Sequence, residues 1–259
     1  MANDQFLYLV NDNIIIVEKN TLAKDHHHHA IKIAITFGHK PILYFNNKLV
    51  KQNTLVYDSD WIHSFETKDT WSIILLLNPD SEIGAHIRTN ILKHNKVYFT
   101  NIEYDKHLIN HFNDLKTKIL SKKIVDHIYH EIILKTCGAP SDKFLIDRRI
   151  RKVFDEIKHF EEKKISAKDL ASLAYLSESR FMHLFKEEVK IPVRQYLLWL
   201  KLIDAIKLIL RGESFTIAAM DSGFTDLPHL HKTFTHFFGV KLNEYLGKEK
   251  SLQFKDYSR

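Results

Sequence analysis

Histidines are the residues of this chain best suited to metal chemistry, since imidazole nitrogens are common ligands of zinc and iron. A run of four, His26–His29, opens a strand-like stretch, and His63 lies further along the chain. Metal-dependent β-barrel enzymes combine two such histidines and a nearby glutamate with a third histidine from another strand. Here residues 31–34 are Ile, Lys, Ile and Ala, so the glutamate is missing. The sequence therefore predicts no metal ligands and favours a solvated loop or a pocket wall for the run.

Other catalytic patterns are missing from the sequence as well. Cys137 is the single cysteine, so it has no resolving partner, and an unreactive thiol is the favoured interpretation. The sequence contains neither a glycine-framed nucleophile nor a phosphate-binding glycine loop. We therefore predict that the protein is not an enzyme and that it uses no cofactor.

An internal repeat organises the C-terminal half of the chain. A shift of 49 residues places Ser177 on Asp226 and brings the apolar positions that follow into register: Phe181 with Leu230, Phe185 with Phe234, and Ile191 with Val240. Upstream, the same shift pairs Leu170 and Ala171 with Ala219 and Met220, and Ala174 and Tyr175 with Gly223 and Phe224. A period of this length is typical of a duplicated supersecondary unit.

Each copy of the repeat has the pattern of a helix, a tight turn and a second helix. Residues that favour helix N-caps precede all four predicted helices: Ser166, Ser177, Ser214 and Asp226. Gly223 supplies the second turn, and the second helix of each copy carries an apolar stripe at positions i, i+3 and i+4. Helix-turn-helix units place such a second helix in the major groove of DNA, where donor-rich outward residues are required.

Residues from about Ile146 to Leu246 resemble the arabinose-regulator (AraC/XylS) family of bacterial transcription factors. The first unit, LASLAYLSESRFMHLFKEEVKIPVRQYL, and the second, SFTIAAMDSGFTDLPHLHKTFTHFFGVKLNEYL, are similar to the two units of that family. Several residues match the family signature: Gly223, Phe224, His229, Phe234, Phe238, Gly239 and Tyr245. The segment LWLKLIDAIKLIL resembles the long helix that connects the units. The sequence departs from the pattern at Lys190, Trp199, Asp204 and Pro228, which bears on the DNA sequence that is recognised.

The resemblance assigns the outward residues of the two second helices to DNA contact. In the first unit we expect Ser179, Met182 and His183 at base edges, with Arg180 and Lys186 near phosphates. The corresponding residues of the second unit are Pro228, His231 and Lys232, with His229 near the DNA backbone and Thr235 on the same outward face. Lysine can donate to guanine, and Met182 or Pro228 can contact a thymine methyl group.

The N-terminal hundred residues have the pattern of short strands. Apolar or β-branched runs such as FLYLV, NIIIVE, AIKIAITF and SIILLLN are separated by Asn, Asp, Gly and Pro, which predicts an antiparallel barrel or jelly roll. In the family this region is a cupin-like, effector-binding domain, and the segments HHHHAIKIAI and YDSDWIHSFET are similar to such domains. We assign it to residues 1–103.

Between residues 104 and 136 the apolar period becomes helical. Leu108, Phe112 and Leu115 mark one helix, and Ile124, Ile128 and Ile132 mark another. These helical linker segments either pack on the β-domain or pair with a second copy of the chain, because both arrangements bury the same stripe. Residues 137–143 read as an interdomain linker, residues 144–247 as the DNA-binding domain, and the charged tail after Gly247 as frayed.

The whole chain sets further bounds on function. Its 259 residues suit two domains of α+β class. The sequence contains no run of 18 apolar residues, which is the length that would predict a membrane span. The N-terminus lacks a basic, cleavable leader, and one cysteine fits a reducing compartment, so we expect a cytoplasmic protein. The net charge of +6 is by itself weak support for a polyanionic partner.

These observations predict a sequence-specific DNA-binding transcriptional regulator of the AraC type, with an activator as the expected sense. Its expected architecture is a cupin-like β-domain, a helical linker and an all-α double helix-turn-helix domain. Expected partners are double-stranded DNA, a small-molecule effector, RNA polymerase and a second copy of the chain, without a membrane. Two alternatives stay open: a metal-dependent cupin enzyme with an appended helical domain, and an architectural DNA-binding protein without a ligand.

Overall fold

The computed structural model describes residues 5–10, 13–26, 30–37, 42–58, 62–78, 81–93, 95–139, 147–157, 165–189, 191–247 and 252–257. The chain forms two compact units. The first comprises Met1–Pro140 and Thr235–Arg259, and the second comprises Ser141–Phe234. The predicted linker residues 140–143, the histidines at 27–29 and the family departure at position 190 lie outside the described residues.

The first unit contains two β-sheets. The strands are β1 Gln5–Val10, β2 Asn13–Lys19, β3 Leu22–His26, β4 Ile31–Phe37, β5 Ile42–Phe45, β6 Lys48–Val50, β7 Thr54–Tyr57, β8 His63–Lys68, β9 Trp71–Leu77, β10 Val97–Thr100 and β11 Leu252–Tyr257. The larger sheet has the order β10-β7-β4-β9-β2-β1-β11, and the smaller sheet has the order β3-β8-β5-β6. This β-rich unit followed by a helical region confirms the predicted two-domain α+β class.

The C-terminal tail departs from the sequence-based expectation. The described pairs are antiparallel except that β11 lies parallel to β1 along its whole length. Tyr257 donates a 2.6 Å hydrogen bond from its hydroxyl to the carbonyl of Leu120, and its ring stacks on Tyr8 at 6.3 Å. The tail is therefore a paired edge strand. The prediction of a frayed tail was wrong because strand pairing across 247 residues of sequence leaves no local pattern.

Helices cover one face of the larger sheet. A short helix, α1 Glu82–His86, continues into a π-helical turn at Ile87–Leu92, and α2 Lys106–Leu115 and α3 Lys122–Cys137 follow β10. Leu108, Phe112 and Ile128 are buried in one core with alternate residues of the central strands. The sequence left open whether these apolar stripes pack on the β-domain or pair with a second copy of the chain. In the structure they pack on the β-sheet.

Strand geometry separates the two faces of the central strand β4. Ile31, Ile33 and Ile35 belong to the core that the helices share. Because successive strand residues point to opposite faces, Lys32 and Ala34 point to the other face of the sheet. Both are buried there, so β4 carries a lysine into the interior of the first unit.

The second half of the chain is helical up to residue 246. The helices are α4 Arg148–Ile157, α5 Ala167–Leu173, α6 Glu178–Val189, α7 Val193–Leu210, α8 Phe215–Asp221, α9 Leu227–Phe238 and α10 Leu242–Leu246. Helices α5 and α6 form the first helix-turn-helix unit, α8 and α9 form the second, and α7 is the predicted connecting helix. The boundary between the two compact units falls within α9. None of the helices in the described ranges is long and apolar enough to cross a membrane.

All four predicted cap residues hold a helix N-terminus. Ser166 and Asp169 form a reciprocal capping box at α5. Ser177 accepts from the amide of Arg180 at 3.4 Å, and Ser214 accepts from that of Ile217 at 3.2 Å. Asp226 accepts from the amide of His229 at 2.7 Å. Each bond satisfies a backbone donor that the first helical turn leaves without a partner.

The repeat changes register within the turn. Ser166 and Ser214, which cap the first helices, are 48 residues apart, whereas Ser177 and Asp226 are 49 apart. Turn hydrogen bonds run from Leu176 to the carbonyl of Ala171 and from Phe224 to that of Ala219. The sequence-based pairing of Ala171 with Met220 was therefore wrong by one residue, because the second turn contains one additional residue, Thr225. Ala219 is buried and Met220 is exposed, as the corrected register requires.

Candidate DNA interface and ligand cavity

The outer face of α6 carries the contact residues predicted for the first helix-turn-helix unit. Ser179, Arg180, His183 and Lys186 are exposed, and Met182 is half-buried. Beneath them Phe181 and Phe185 are fully buried, and Phe185 contacts the rings of Phe154 and Tyr196 at 5.8 Å and 5.4 Å. This aromatic layer fixes the helix, so the donor-bearing side chains occupy a stable surface.

The outer face of α9 is partly engaged by neighbouring side chains. Pro228, Lys232 and Thr235 are exposed, whereas His229 and His231 are half-buried. The Nδ1 atom of His229 lies 2.9 Å from the hydroxyl oxygen of Thr225, and its ring meets Phe224 edge-on at 5.2 Å. The ring of His231 lies 6.1 Å from that of Phe215. Of the predicted contacts in this helix, His229 is thus held by the turn that precedes it.

The connecting helix α7 is anchored to the second turn. Trp199 is buried in its middle, as predicted. Lys201 donates a 3.0 Å hydrogen bond from Nζ to the carbonyl of Gly223. Gly223 itself has φ +78°, a left-handed conformation that favours glycine. The equivalent position of the first turn is Tyr175, with φ +55°.

A cavity of about 230 Å³ lies within the first unit. Its apolar wall comes from the strands and includes Ile16, Phe65, Ile74 and Leu76. Polar residues of the strands and of the turn between β2 and β3 also line it, and a further wall comes from the end of α9 and the segment after it, through Phe238, Val240, Glu244 and Tyr245. Apolar walls with a few polar groups are typical of small-molecule sites, although this volume lies below the usual range of roughly 300–1,000 Å³.

Lys32 brings a charged group to this cavity. Its side chain is 6% exposed and lies 5.8 Å from the centre of the Tyr57 ring. Burial lowers the pKa of Lys32 to about 7, and the carboxylate of Glu18 acts in the opposite direction. Near neutral pH this lysine can therefore gain or lose its proton in response to a bound group.

Glu18 connects the strands to the end of the helical region. Its Oε2 atom accepts a hydrogen bond from the side-chain amide of Gln5 at 2.5 Å and another from the hydroxyl of Tyr245 at 3.3 Å. Tyr245 belongs to α10, and burial raises its pKa well above the usual value. The carboxylate of Glu18 therefore links β1, β2 and α10 at the wall of the cavity.

Comparisons with solved structures place this architecture. The apo form of a lysine-to-alanine variant of ToxT from Vibrio cholerae superposes with a TM-score of 0.56 at 13% identity, covering 92% of this chain and 98% of that chain. ToxT bound to an unsaturated fatty acid gives 0.55 at 14% identity, with 90% and 94% covered. ToxT bound to (E)-4-(8-methylnaphthalen-1-yl)but-3-enoic acid gives 0.55 at 13% identity, with 95% and 98% covered. At this identity the likeness shows a shared fold.

A comparison with protein-family models identifies the C-terminal helical domain. Residues 170–248 match the family model described as a helix-turn-helix domain. The chain carries a helix-turn-helix domain of the AraC type in these residues. No curated protein sequence matches it.

The histidines that the sequence offered as possible metal ligands have different surroundings in the structure. His63 is buried, stacks on Phe45 at 5.7 Å and meets Tyr57 edge-on at 4.7 Å. In the strand ladder it pairs with His26, the one member of the histidine run that the structure describes. Cys137 is buried, which raises its pKa to about 12 and disfavours the reactive thiolate.

A second group of histidines, on α2 and α3, was not predicted from the sequence. His107, His111 and His127 place one ring nitrogen each within 4.8 Å of the others. His107 and His111 are four residues apart on α2, a spacing that the sequence displays, but His127 comes from α3. Burial and then the two neighbouring imidazoles lower the pKa of His111. Only helix packing reveals that the third histidine completes the group.

Proposed function

We propose that this AraC-type regulator binds a specific DNA site through α6 and α9 and that a small acidic molecule in the cavity controls this binding. The observation that carries the proposal is the buried lysine Lys32 on the wall of a cavity whose other wall is the end of the second helix-turn-helix unit. The proposal includes a cytoplasmic location, no catalytic step, and functional domains at residues 1–103, 104–136 and 144–247.

In this proposal the two recognition helices divide the work of DNA binding. Ser179, Met182 and His183 read base edges, and Arg180 and Lys186 contact phosphates. Pro228, His231 and Lys232 take the base-reading role in α9, with Thr235 beside them, while His229 contacts the backbone from its position against Thr225. Base contacts supply specificity, and phosphate contacts supply affinity that depends on salt. RNA polymerase and a second copy of the chain are the protein partners that we propose.

The proposed ligand has an apolar body and one carboxylate. Two structures of ToxT, which shares the fold, contain an unsaturated fatty acid and a naphthyl butenoic acid. In this chain the apolar wall would contact the body of such a ligand, and the ammonium group of Lys32 would face its carboxylate. Binding would raise the pKa of Lys32, because an adjacent anion favours the charged form.

Control of DNA binding follows from the composition of the cavity wall. Phe238, Val240 and Tyr245 lie at the end of α9, in the loop after it and in α10. A ligand that contacts these residues has a different affinity for each arrangement of the segment. It shifts the equilibrium between arrangements by that difference in affinity, and so changes how α9 is presented to DNA.

Ligand binding can be tested with the naphthyl butenoic acid and its methyl ester. We expect the acid, and not the ester, to bind by isothermal titration calorimetry. Affinity should fall by up to about tenfold per pH unit above pH 7, because the neutral lysine must first be protonated. Lys32→Met should remove this pH dependence, whereas Lys48→Met, on exposed strand β6, should retain it. Equal binding of acid and ester by all three proteins would contradict the proposed ligand class.

DNA binding can be tested by mapping genomic sites with immunoprecipitation, followed by hydroxyl-radical footprinting. If both recognition helices enter successive major grooves, one chain should protect two sub-sites about 10 base pairs apart. A footprint restricted to one short sub-site would remove α9 from the proposed interface.

A further inference from the structure

Helices α2 and α3 bring three imidazoles together on the surface of the first unit. The ring centroids of His107 and His111 are 4.5 Å apart, and each lies 5.7 Å from that of His127. The rings are nearly perpendicular to one another, at 84°, 88° and 78°. His107 and His127 are exposed and His111 is half-buried, so solvent reaches the group.

We propose that His107, His111 and His127 form a binding site for one divalent zinc-class ion. Three imidazole nitrogens are a known protein ligand set for zinc, and Zn–N distances of about 2.0–2.1 Å place two tetrahedral ligands roughly 3.4 Å apart. The observed nitrogens lie within 4.8 Å of one another. Side-chain rotations of the exposed rings are sufficient to close that difference. The fourth coordination position is left to water.

The site has a structural setting that gives the ion a role. His107 and His111 occupy successive turns of α2, and His127 lies one turn beyond the start of α3. Both helices pack on the β-sheet through Leu108, Phe112 and Ile128. An ion shared by the three rings would link α2 to α3 on the solvent side, opposite the contact that the apolar stripes make with the sheet.

This site is independent of the histidine run that prompted the sequence-based expectation of no metal ligands. That expectation concerned His26–His29 and His63. His26 and His63 belong to strands of the smaller sheet, and the other three precede β4 in the sequence. It also concerned an enzyme site with a glutamate. The proposed site lies on two helices, contains no carboxylate and requires no catalysis.

Zinc titration of the full-length chain, after removal of bound metal with EDTA, tests the proposal. Because His26–His29 can also bind zinc, the background protein carries asparagine at these four positions. We expect one Zn²⁺ per chain in this background. His111→Gln and His127→Gln should each weaken binding by more than about tenfold, since even loss of a group that only orients a ligand costs roughly 10–100-fold. Mg²⁺ should not compete, because it prefers oxygen ligands.

His130→Gln is the matched control. His130 is exposed on α3, and its Nδ1 atom lies 2.6 Å from the carbonyl oxygen of Asp126. The His130→Gln variant should bind zinc like the background protein. Zinc should also raise the melting temperature of both proteins by the same amount. Equal metal-free melting temperatures will show that the histidine variants are folded. Zinc bound only when His26–His29 are present, or bound equally by His127→Gln, would overturn the proposal.

Discussion

The two compact units bury different kinds of side chain. In the described part of the second compact unit, which contains the helix-turn-helix motifs, the buried polar residues are Ser222 and Thr233, and the rest of the core is apolar. The β-rich unit buries many more polar groups, among them Lys32 and His63. Burial of a charged or polar group costs free energy unless other interactions compensate it. The difference is consistent with the proposal that the first compact unit acts through its interior and the second through its surface.

Helix α6, a recognition helix in the proposal, illustrates action through a surface. On α6 the side chains that face solvent are mostly polar or charged, with acidic residues beside the basic ones, and the side that faces the core is apolar, with two phenylalanines. Stability and recognition therefore reside on opposite sides of one helix, and each can be changed separately. In the first unit Lys32 belongs both to the core and to the proposed ligand site. A change there should alter stability and ligand response together.

Removal of the aromatic core should have the largest effect on stability. Phe185→Ala should lower the free energy of unfolding of the helix-turn-helix unit by about 3–5 kcal/mol, because it deletes a fully buried ring from a packed layer. Met182→Ala, on the half-buried outer side of the same helix, is the control and should cost clearly less. Urea unfolding followed by circular dichroism measures both. Similar costs for the two variants would contradict the separation of core and surface.

The buried lysine should have the next largest effect, and its sign depends on pH. The unfolded chain has a lysine pKa near 10.5 and the folded chain has one of about 7, so between these values the unfolded state binds more protons. Stability should therefore rise with pH in this window, by up to about 1.4 kcal/mol per unit. Lys32→Met should be more stable than the parent at pH 6.5 and should lose this rise. The measurement is urea unfolding at pH 6.5, 8 and 9.5, with Lys48→Met as the control. A rise that persists in Lys32→Met would assign it to another group.

Sequence predicted the helical half of the molecule well because its signals are local. The cap residues, the apolar stripes and the connecting helix each depend on neighbours within a few positions. The one-residue slip of the repeat was missed because the shift that aligns α6 with α9 does not reveal an added residue in the turn. Thr225 is recognised only from the hydrogen bonds around it.

The cavity and the histidine group of the first compact unit could not be predicted, because they depend on contacts between residues that are distant in sequence. In the sequence Lys32 is one of four residues at a place where a metal site would need a glutamate, and its burial follows only from the face of β4 on which it lies. The pairing of β11 with β1 and the approach of His127 to His107 require the folded chain. Local patterns therefore predicted the strands and helices, and tertiary packing determined the cavity and the histidine group.

Replacement of two exposed residues on α6 should separate base reading from phosphate contact. His183→Ala should cost about 1–3 kcal/mol at one base pair and flatten the preference there. Lys186→Ala should weaken binding to all sequences alike and reduce the salt slope by about one. Fluorescence anisotropy on the mapped site and its single-base variants, at several salt concentrations, measures both. An even loss across all base variants for His183→Ala would place the base-reading residues elsewhere.

The two turns should respond differently to alanine, with the smallest effects on stability. Gly223→Ala should cost about 1–2 kcal/mol, because a side chain is disfavoured at φ +78°. Tyr175→Ala keeps a side chain at φ +55° and loses the contact with Lys152, whose Nζ lies 4.5 Å from the ring centre, so it should cost about 0.5–1 kcal/mol. Urea midpoints of the two variants compare the turns directly. A larger cost for Tyr175→Ala would mean that its side chain, rather than backbone geometry, dominates.

The most direct test of ligand control measures DNA affinity with and without the naphthyl butenoic acid. Anisotropy titrations on the mapped site would compare the parent, Lys32→Met and Lys48→Met. The account predicts that all three bind DNA without the acid, and that the acid changes the apparent dissociation constant of the parent and of Lys48→Met. It predicts no change for Lys32→Met. An equal change in all three proteins, or no change in the parent, would contradict control through the cavity.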